Sequence, residues 1–221
     1  MSDHEFRLEI LRFGKLLHEH GLIAATDGNI SVRLNETSVL VTPTCMSKAM
    51  LTTEDLIVVD MQGRKIAGFR DVTSEMSMHL TVYRMRPDVQ AVVHAHPPTA
   101  TGFAACGLAL DQALISEVLL SLGTVPLAHY ATPGTSELAE ALAPYIPDHD
   151  AVLMANHGVV TYGATLMQAY MNMETVEHFA KIALVVKQLG CERPLAAEQV
   201  SKLQEMRHQI KLYKSELRTR A

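Results

Sequence analysis

His94 and His96 stand two residues apart in Ala91-Val92-Val93-His94-Ala95-His96, an apolar run stopped by Pro97-Pro98. Residues two apart on a strand project from the same face, so both imidazoles can reach one metal ion. The pair alone says little. With 11 histidines in 221 residues, an H-x-H match arises by chance roughly half the time. His157, in Asn156-His157-Gly158 after the apolar run Val152 to Ala155, offers a third imidazole on an exposed turn. Three histidines and one open position form the ligand set of a catalytic rather than a structural zinc. Glu75 could complete it, although a carboxylate in the first turn of a helix is favourable without any ligand.

Those side chains need strands and turns to hold them. Phe6, Ile10, Phe13, Leu16 and Leu17 predict an amphipathic helix over 4–20, ended by Gly21. The runs 30–34 and 38–42, joined by Asn35-Glu36-Thr37, predict a β-hairpin. Residues 56–60 read as a strand followed by a Gln62-Gly63 turn. Thr73-Ser74-Glu75 opens a periodic segment that stops before Pro87, which predicts a helix with Glu75 in its first turn. Residues 91–96 and 152–155 read as strands, and two long helices follow over about 164–189 and 196–215, separated by Gly190 and Pro194. Strands and helices interleave without a strict βαβ rhythm. The expected fold is a single α/β layered domain over 1–221, with a central mostly antiparallel or mixed sheet flanked by helices.

A 48% apolar composition supports one full core, and a net charge of −5 without a basic block argues against nucleic acid or an anionic membrane as partner. The N-terminus mixes acids and bases through its apolar positions, unlike a signal or transit peptide, and no apolar run is long enough to span a bilayer. Cys45, Cys106 and Cys191 lie far apart, which suits a reducing compartment. A cytoplasmic location is expected.

Five motifs together resemble the class II aldolase and adducin-head family: Gly28-Asn29-Ile30-Ser31, Thr42-Pro43-Thr44, Thr73-Ser74-Glu75, His94-Ala95-His96-Pro97 and Asn156-His157-Gly158, in that order. The resemblance extends to Tyr130-Ala131-Thr132 with Gly134-Thr135, and to Tyr213 near the C-terminus. It implies a zinc held by His94, His96 and His157, with Glu75 as a ligand that swings off to act as acid and base. It implies a substrate-phosphate pocket formed by Gly28, Asn29, Thr44, Cys45, Thr73 and Ser74, where turn N–H groups supply an anion site. Cys45 stands where the family has glycine and Thr73 where it has serine. It also implies a homotetramer with sites at subunit boundaries, and a mobile tail from about residue 205 that brings Tyr213 in as a base. Ile115 and Ile210 align with aromatic positions of the family that shape the aldehyde end of the substrate.

The activity implied is zinc-dependent cleavage of a ketose 1-phosphate, of the fuculose, 5-deoxyribulose or methylthioribulose type, to dihydroxyacetone phosphate and a short aldehyde. A dehydratase, a decarboxylase or a 4-epimerase of the same family is the alternative, and a non-catalytic adducin-like interaction module is a remote one. The epimerases carry aspartate where this chain has Glu75. His79, one helical turn beyond Glu75, reads either as a neighbour of the metal ligands or as an ordinary packed histidine. His18, His20, His178 and His208 read as ordinary.

Overall fold

A computed structural model describes residues 1–219. The chain opens with α1 (Asp3–Glu19), started by a capping box in which Ser2 accepts from the Glu5 backbone and Glu5 accepts from the Ser2 backbone. The expected hairpin forms as β1 (Asn29–Arg33) and β2 (Ser38–Val41), and the third strand as β3 (Ile57–Asp60). A short strand not foreseen, β4 (Lys65–Ala67), pairs with β3. Then come α2 (Met76–Met85) and β5 (Ala91–Ala95). Residues 98–142 contribute α3 (Pro98–Ala105), α4 (Ser116–Ser121), β6 (Leu127–Ala128) and α5 (Ser136–Leu142), none of which the periodicity had marked. β7 (Ala151–Met154), β8 (Gly158–Gly163), α6 (Leu166–Leu189) and α7 (Ala197–Thr219) complete it.

The strands make one eight-stranded sheet in the order β4-β3-β2-β1-β5-β8-β7-β6. Every pair is antiparallel except β6 with β7, so the sheet is mixed. Alternation along the strands feeds two cores. Ile30, Val32, Leu40, Ala91, Val93 and Leu153 pack with α1, α3 and α6 on one face. Val39, Val41, Val92, Val152 and Val160 pack with α2 and α5 on the other. His94 shares the parity of Val92 and therefore faces α2.

One end differs from the sequence reading. Glu75 is the N-cap residue of α2, with φ −96°, ψ 15°, rather than a first-turn residue. The segment from about residue 205 lies within α7, the helix expected over about 196–215, and Arg207 on that helix donates to Leu122 O (2.6 Å) and Asp150 Oδ2 (3.0 Å). Among the described residues no helix is long and apolar enough to cross a membrane.

Candidate metal and phosphate site

Antiparallel register sets Asn29 opposite His94, on neighbouring strands β1 and β5. The turn before Asn29 presses against β5: a Cβ on Gly28 would lie 2.6 Å from His94 O, and its φ is +71°, so only glycine fits. β5 ends at Ala95, and His96 follows, its backbone N–H donating to Leu22 O at 3.1 Å. The β7–β8 turn brings His157 back to the same place. A Cβ on Gly158 would meet His96 Cδ2 at 2.5 Å and Ala95 O at 2.6 Å, so glycine after His157 is what lets the turn close over His96.

The three imidazoles offer ligand nitrogens that all lie within 4.8 Å of one another. His94 Nε2 and His96 Nε2 are 3.0 Å apart. Glu75 Oε2 lies 3.3 Å from His94 Nε2, and Glu75 Oε1 lies 3.1 Å from His157 Nε2. Nitrogens about 2.0–2.1 Å from a tetrahedral zinc stand roughly 3.3–3.4 Å apart, so these spacings are those of ligands around one small cation.

Hydrogen bonding agrees with that assignment. His94 Nδ1 is 2.9 Å from Val159 O. A carbonyl only accepts, so Nδ1 carries the proton and Nε2 presents its lone pair. His96 Nδ1 faces Asp27 Oδ2 at 3.4 Å, which leaves its Nε2 as the inward atom too. Burial pushes the His94 pKa down to about 3 and that of His96 downward, so both rings are neutral, as metal ligands must be. Burial acts to raise the Glu75 pKa, and the Asn29 amide, donating to Oε2, acts to lower it and favours the carboxylate. Glu75 Oε1 and His157 Nδ1 are buried without a hydrogen-bond partner. A cation would satisfy that carboxylate oxygen.

The turn residues named for the phosphate gather beside this cluster. Asn29 Nδ2 donates to Glu75 Oε2 at 2.8 Å. Pro43 bridges to Val72 and Thr44 N donates to Asp71 O, which lays Thr44 and Cys45 alongside the strand-like approach to Thr73 and Ser74. Thr73 is buried and Ser74 exposed, with Gly134 packed against Ser74. Cys45 adopts left-handed backbone, φ +55°. That conformation favours glycine over a residue with a side chain.

Tyr213, Ile115 and Ile210 do not join the cluster within this chain. Tyr213 is 63% exposed on α7. Arg207 ties α7 to Asp150, at the end of β7 opposite His157. Ile115 lines a cavity between α4 and α6 with Glu174 and His178, and Ile210 lines another with Met167 and Met171.

Several supporting residues escaped the sequence reading. Lys48 is 2% exposed and its ammonium donates to Thr26 O and to Met46 O (2.9 Å), tying the Gly28 turn to the Cys45 turn. Burial pushes its pKa down to about 8. Glu177 on α6 caps α3, accepting from Thr99 N, Thr99 Oγ1 (2.8 Å) and Ala100 N (3.0 Å), and so fixes the chain that follows His96. Asp27 is a third. Its only advance sign was a position beside Gly28.

A sequence profile of the class II aldolase and adducin N-terminal domain family matches residues 8–184. The chain is 34% identical to a 5-deoxy-D-ribulose 1-phosphate aldolase of Bacillus thuringiensis serovar kurstaki, over 89% of this chain and 92% of that one. It is 33% identical to a 3-oxo-tetronate 4-phosphate decarboxylase of Pectobacterium atrosepticum, over 84% and 86%. A solved L-fuculose 1-phosphate aldolase superposes with a TM-score of 0.86 at 33% identity, over 93% and 97%. With the matched profile spanning both strand-end histidine turns and the Gly28 and Cys45 turns, this chain belongs to the class II aldolase and adducin N-terminal domain family and is an enzyme of the lyase type.

Proposed function

We propose that the protein is a zinc-dependent aldolase that cleaves a ketose 1-phosphate to dihydroxyacetone phosphate and a short aldehyde. One observation carries the reading: ring nitrogens of three histidines and the Glu75 carboxylate converge at ligand spacing. His94, His96, His157 and Glu75 would hold the ion. When bound, it supplies Lewis-acid stabilisation of the negative charge that develops on the substrate's carbonyl oxygen.

The remaining work falls to side chains and turns. Gly28, Asn29, Thr44, Cys45, Thr73 and Ser74 bind the phosphate and set the carbonyl beside the histidines. In the condensation direction the Glu75 carboxylate would take a proton from the carbon beside the carbonyl, and in cleavage the corresponding carboxylic acid would return a proton to that carbon. Tyr213 serves as the base that takes the proton of the hydroxyl whose oxygen becomes the aldehyde carbonyl. Because α7 is tied to the far end of β7, we assign that tyrosine to the site of a neighbouring subunit in a homotetramer. The enzyme works in the cytoplasm on a phosphorylated sugar, not on nucleic acid or membrane.

A second reading has specific support, since relatives at 33% identity are 3-oxo-tetronate 4-phosphate decarboxylases. Both reactions break the bond between the carbon next to a ketone carbonyl and the leaving carbon. They differ in the leaving group, aldehyde or carbon dioxide. A shared half-reaction tests the common core: with dihydroxyacetone phosphate alone in deuterated water, the zinc-loaded protein exchanges one carbon-bound proton, and Glu75→Gln does not. Absence of exchange by the wild-type protein contradicts both readings.

A further inference from the structure

Glu75, His79 and Tyr83 are spaced by four along the start and inner face of α2. Below them Asn29 and Ser31, two apart on β1, point up from the sheet. The two stripes interlock into one buried row of polar atoms. Tyr83 OH is 2.8 Å from Ser31 Oγ, which is 2.6 Å from His79 Nδ1. His79 Nε2 bonds Asn29 Oδ1, and Asn29 Nδ2 lies 2.8 Å from Glu75 Oε2.

The direction of each bond follows from its end. A carboxylate only accepts, so the Asn29 amide turns its nitrogen to Glu75 and its oxygen to His79. The oxygen accepts, so His79 Nε2 carries the ring proton. His79 is fully buried, and burial pushes its pKa down to about 4, so the ring is neutral and Nδ1 is an acceptor. Ser31 therefore donates to Nδ1, and Tyr83 donates to Ser31. Every hydrogen bond of the row points towards the carboxylate.

We propose that His79 is a positioning residue of the metal site: it locks the amide of Asn29 so that an N–H faces Glu75 Oε2 and holds that carboxylate beside His94 and His157. The proposal rests on the reading of Glu75 as a metal ligand. Without the His79 N–H, the Asn29 oxygen loses its buried donor, and the amide can rotate to place that oxygen against the carboxylate. Attraction then becomes repulsion at the one ligand that is not an imidazole. Partners that orient metal ligands in this way typically set affinity or activity by about 10–100-fold.

The test is zinc affinity of the full-length protein, measured by competition with a chromophoric chelator, with thermal melting to verify folding. His79→Phe is expected to bind zinc about 10–100-fold more weakly than wild type. His79→Gln, whose amide N–H can replace Nε2–H, is expected to recover affinity to within about threefold. A folded His79→Phe with wild-type affinity, or a His79→Gln no better than His79→Phe, overturns the proposal. A wild-type protein that binds no zinc would instead overturn the metal-site reading itself. A second measurement uses the wild-type chain alone. Nitrogen-15 spectra of its imidazoles should show His79 as the Nε2–H tautomer, and an Nδ1–H tautomer reverses the row and overturns the proposal even if neither variant folds.

Discussion

The Nε2 atoms of His94 and His96 face each other at 3.0 Å, and neither carries a proton in the tautomer its partner imposes. Two lone pairs held that close repel unless a cation lies between them. The protein is therefore expected to purify with, or take up, about one divalent ion per chain. Chelation should abolish cleavage while leaving the circular dichroism spectrum intact, because two apolar cores, one on each face of the sheet, hold the fold without the ion. Metal analysis on His96→Ala should show loss of the ion.

Glu75 is 8% exposed and accepts from Asn29. Its carboxylate is given a proton-transfer role that an amide cannot fill. Glu75→Gln should fold and lose roughly 100-fold or more in kcat, the scale of a general acid or base. Near-wild-type turnover in that variant would reassign the residue to metal binding alone.

Cys45 carries left-handed backbone at φ +55°. For a non-glycine residue this region costs about 1–2 kcal/mol. Cys45→Gly should match or exceed wild-type stability, and Cys45→Val, with its branched β-carbon, should lose roughly 1 kcal/mol or more. Denaturant midpoints decide between them.

Lys48 supplies the pH dependence. Its pKa is about 8 in the folded protein against an ordinary 10.5. Below pH about 8 the ammonium is charged in both states and its burial opposes folding. Between about 8 and 10.5 only the unfolded chain holds the proton, so stability rises with pH across that window. Wild type should therefore gain stability relative to Lys48→Met between pH 8 and 10, and an unchanged difference would show that the buried ammonium keeps its ordinary pKa.

His94 and His96 were legible because period two and a Pro-Pro stop bring them together at the end of β5; Gly28 and Gly158 were legible as turn residues, and the crowding that demands glycine there is visible only in the fold. The hairpin and α6 announced themselves through regular alternation and length. Elements between residues 98 and 150 did not. α4 and β6 span six and two residues, too short to establish a period, and Gly123, Pro126, Pro133 and Pro147 break up the chain that follows α4. His79 remained undecided between two readings for a different reason. Its role depends on α2 lying across β1, a contact between segments about fifty positions apart that no local pattern encodes. Lys48 and Glu177 act through backbone groups on other segments, which likewise leave no trace in spacing.

The identity of the leaving group tests the central claim most directly. Zinc-loaded protein is incubated separately with 5-deoxyribulose 1-phosphate, fuculose 1-phosphate and 3-oxo-tetronate 4-phosphate, and dihydroxyacetone phosphate, aldehyde and carbon dioxide are each quantified. The account predicts dihydroxyacetone phosphate with equimolar aldehyde from a ketose 1-phosphate, lost on chelation and restored by zinc. Carbon dioxide from 3-oxo-tetronate 4-phosphate, with no aldehyde from either ketose 1-phosphate, would contradict it.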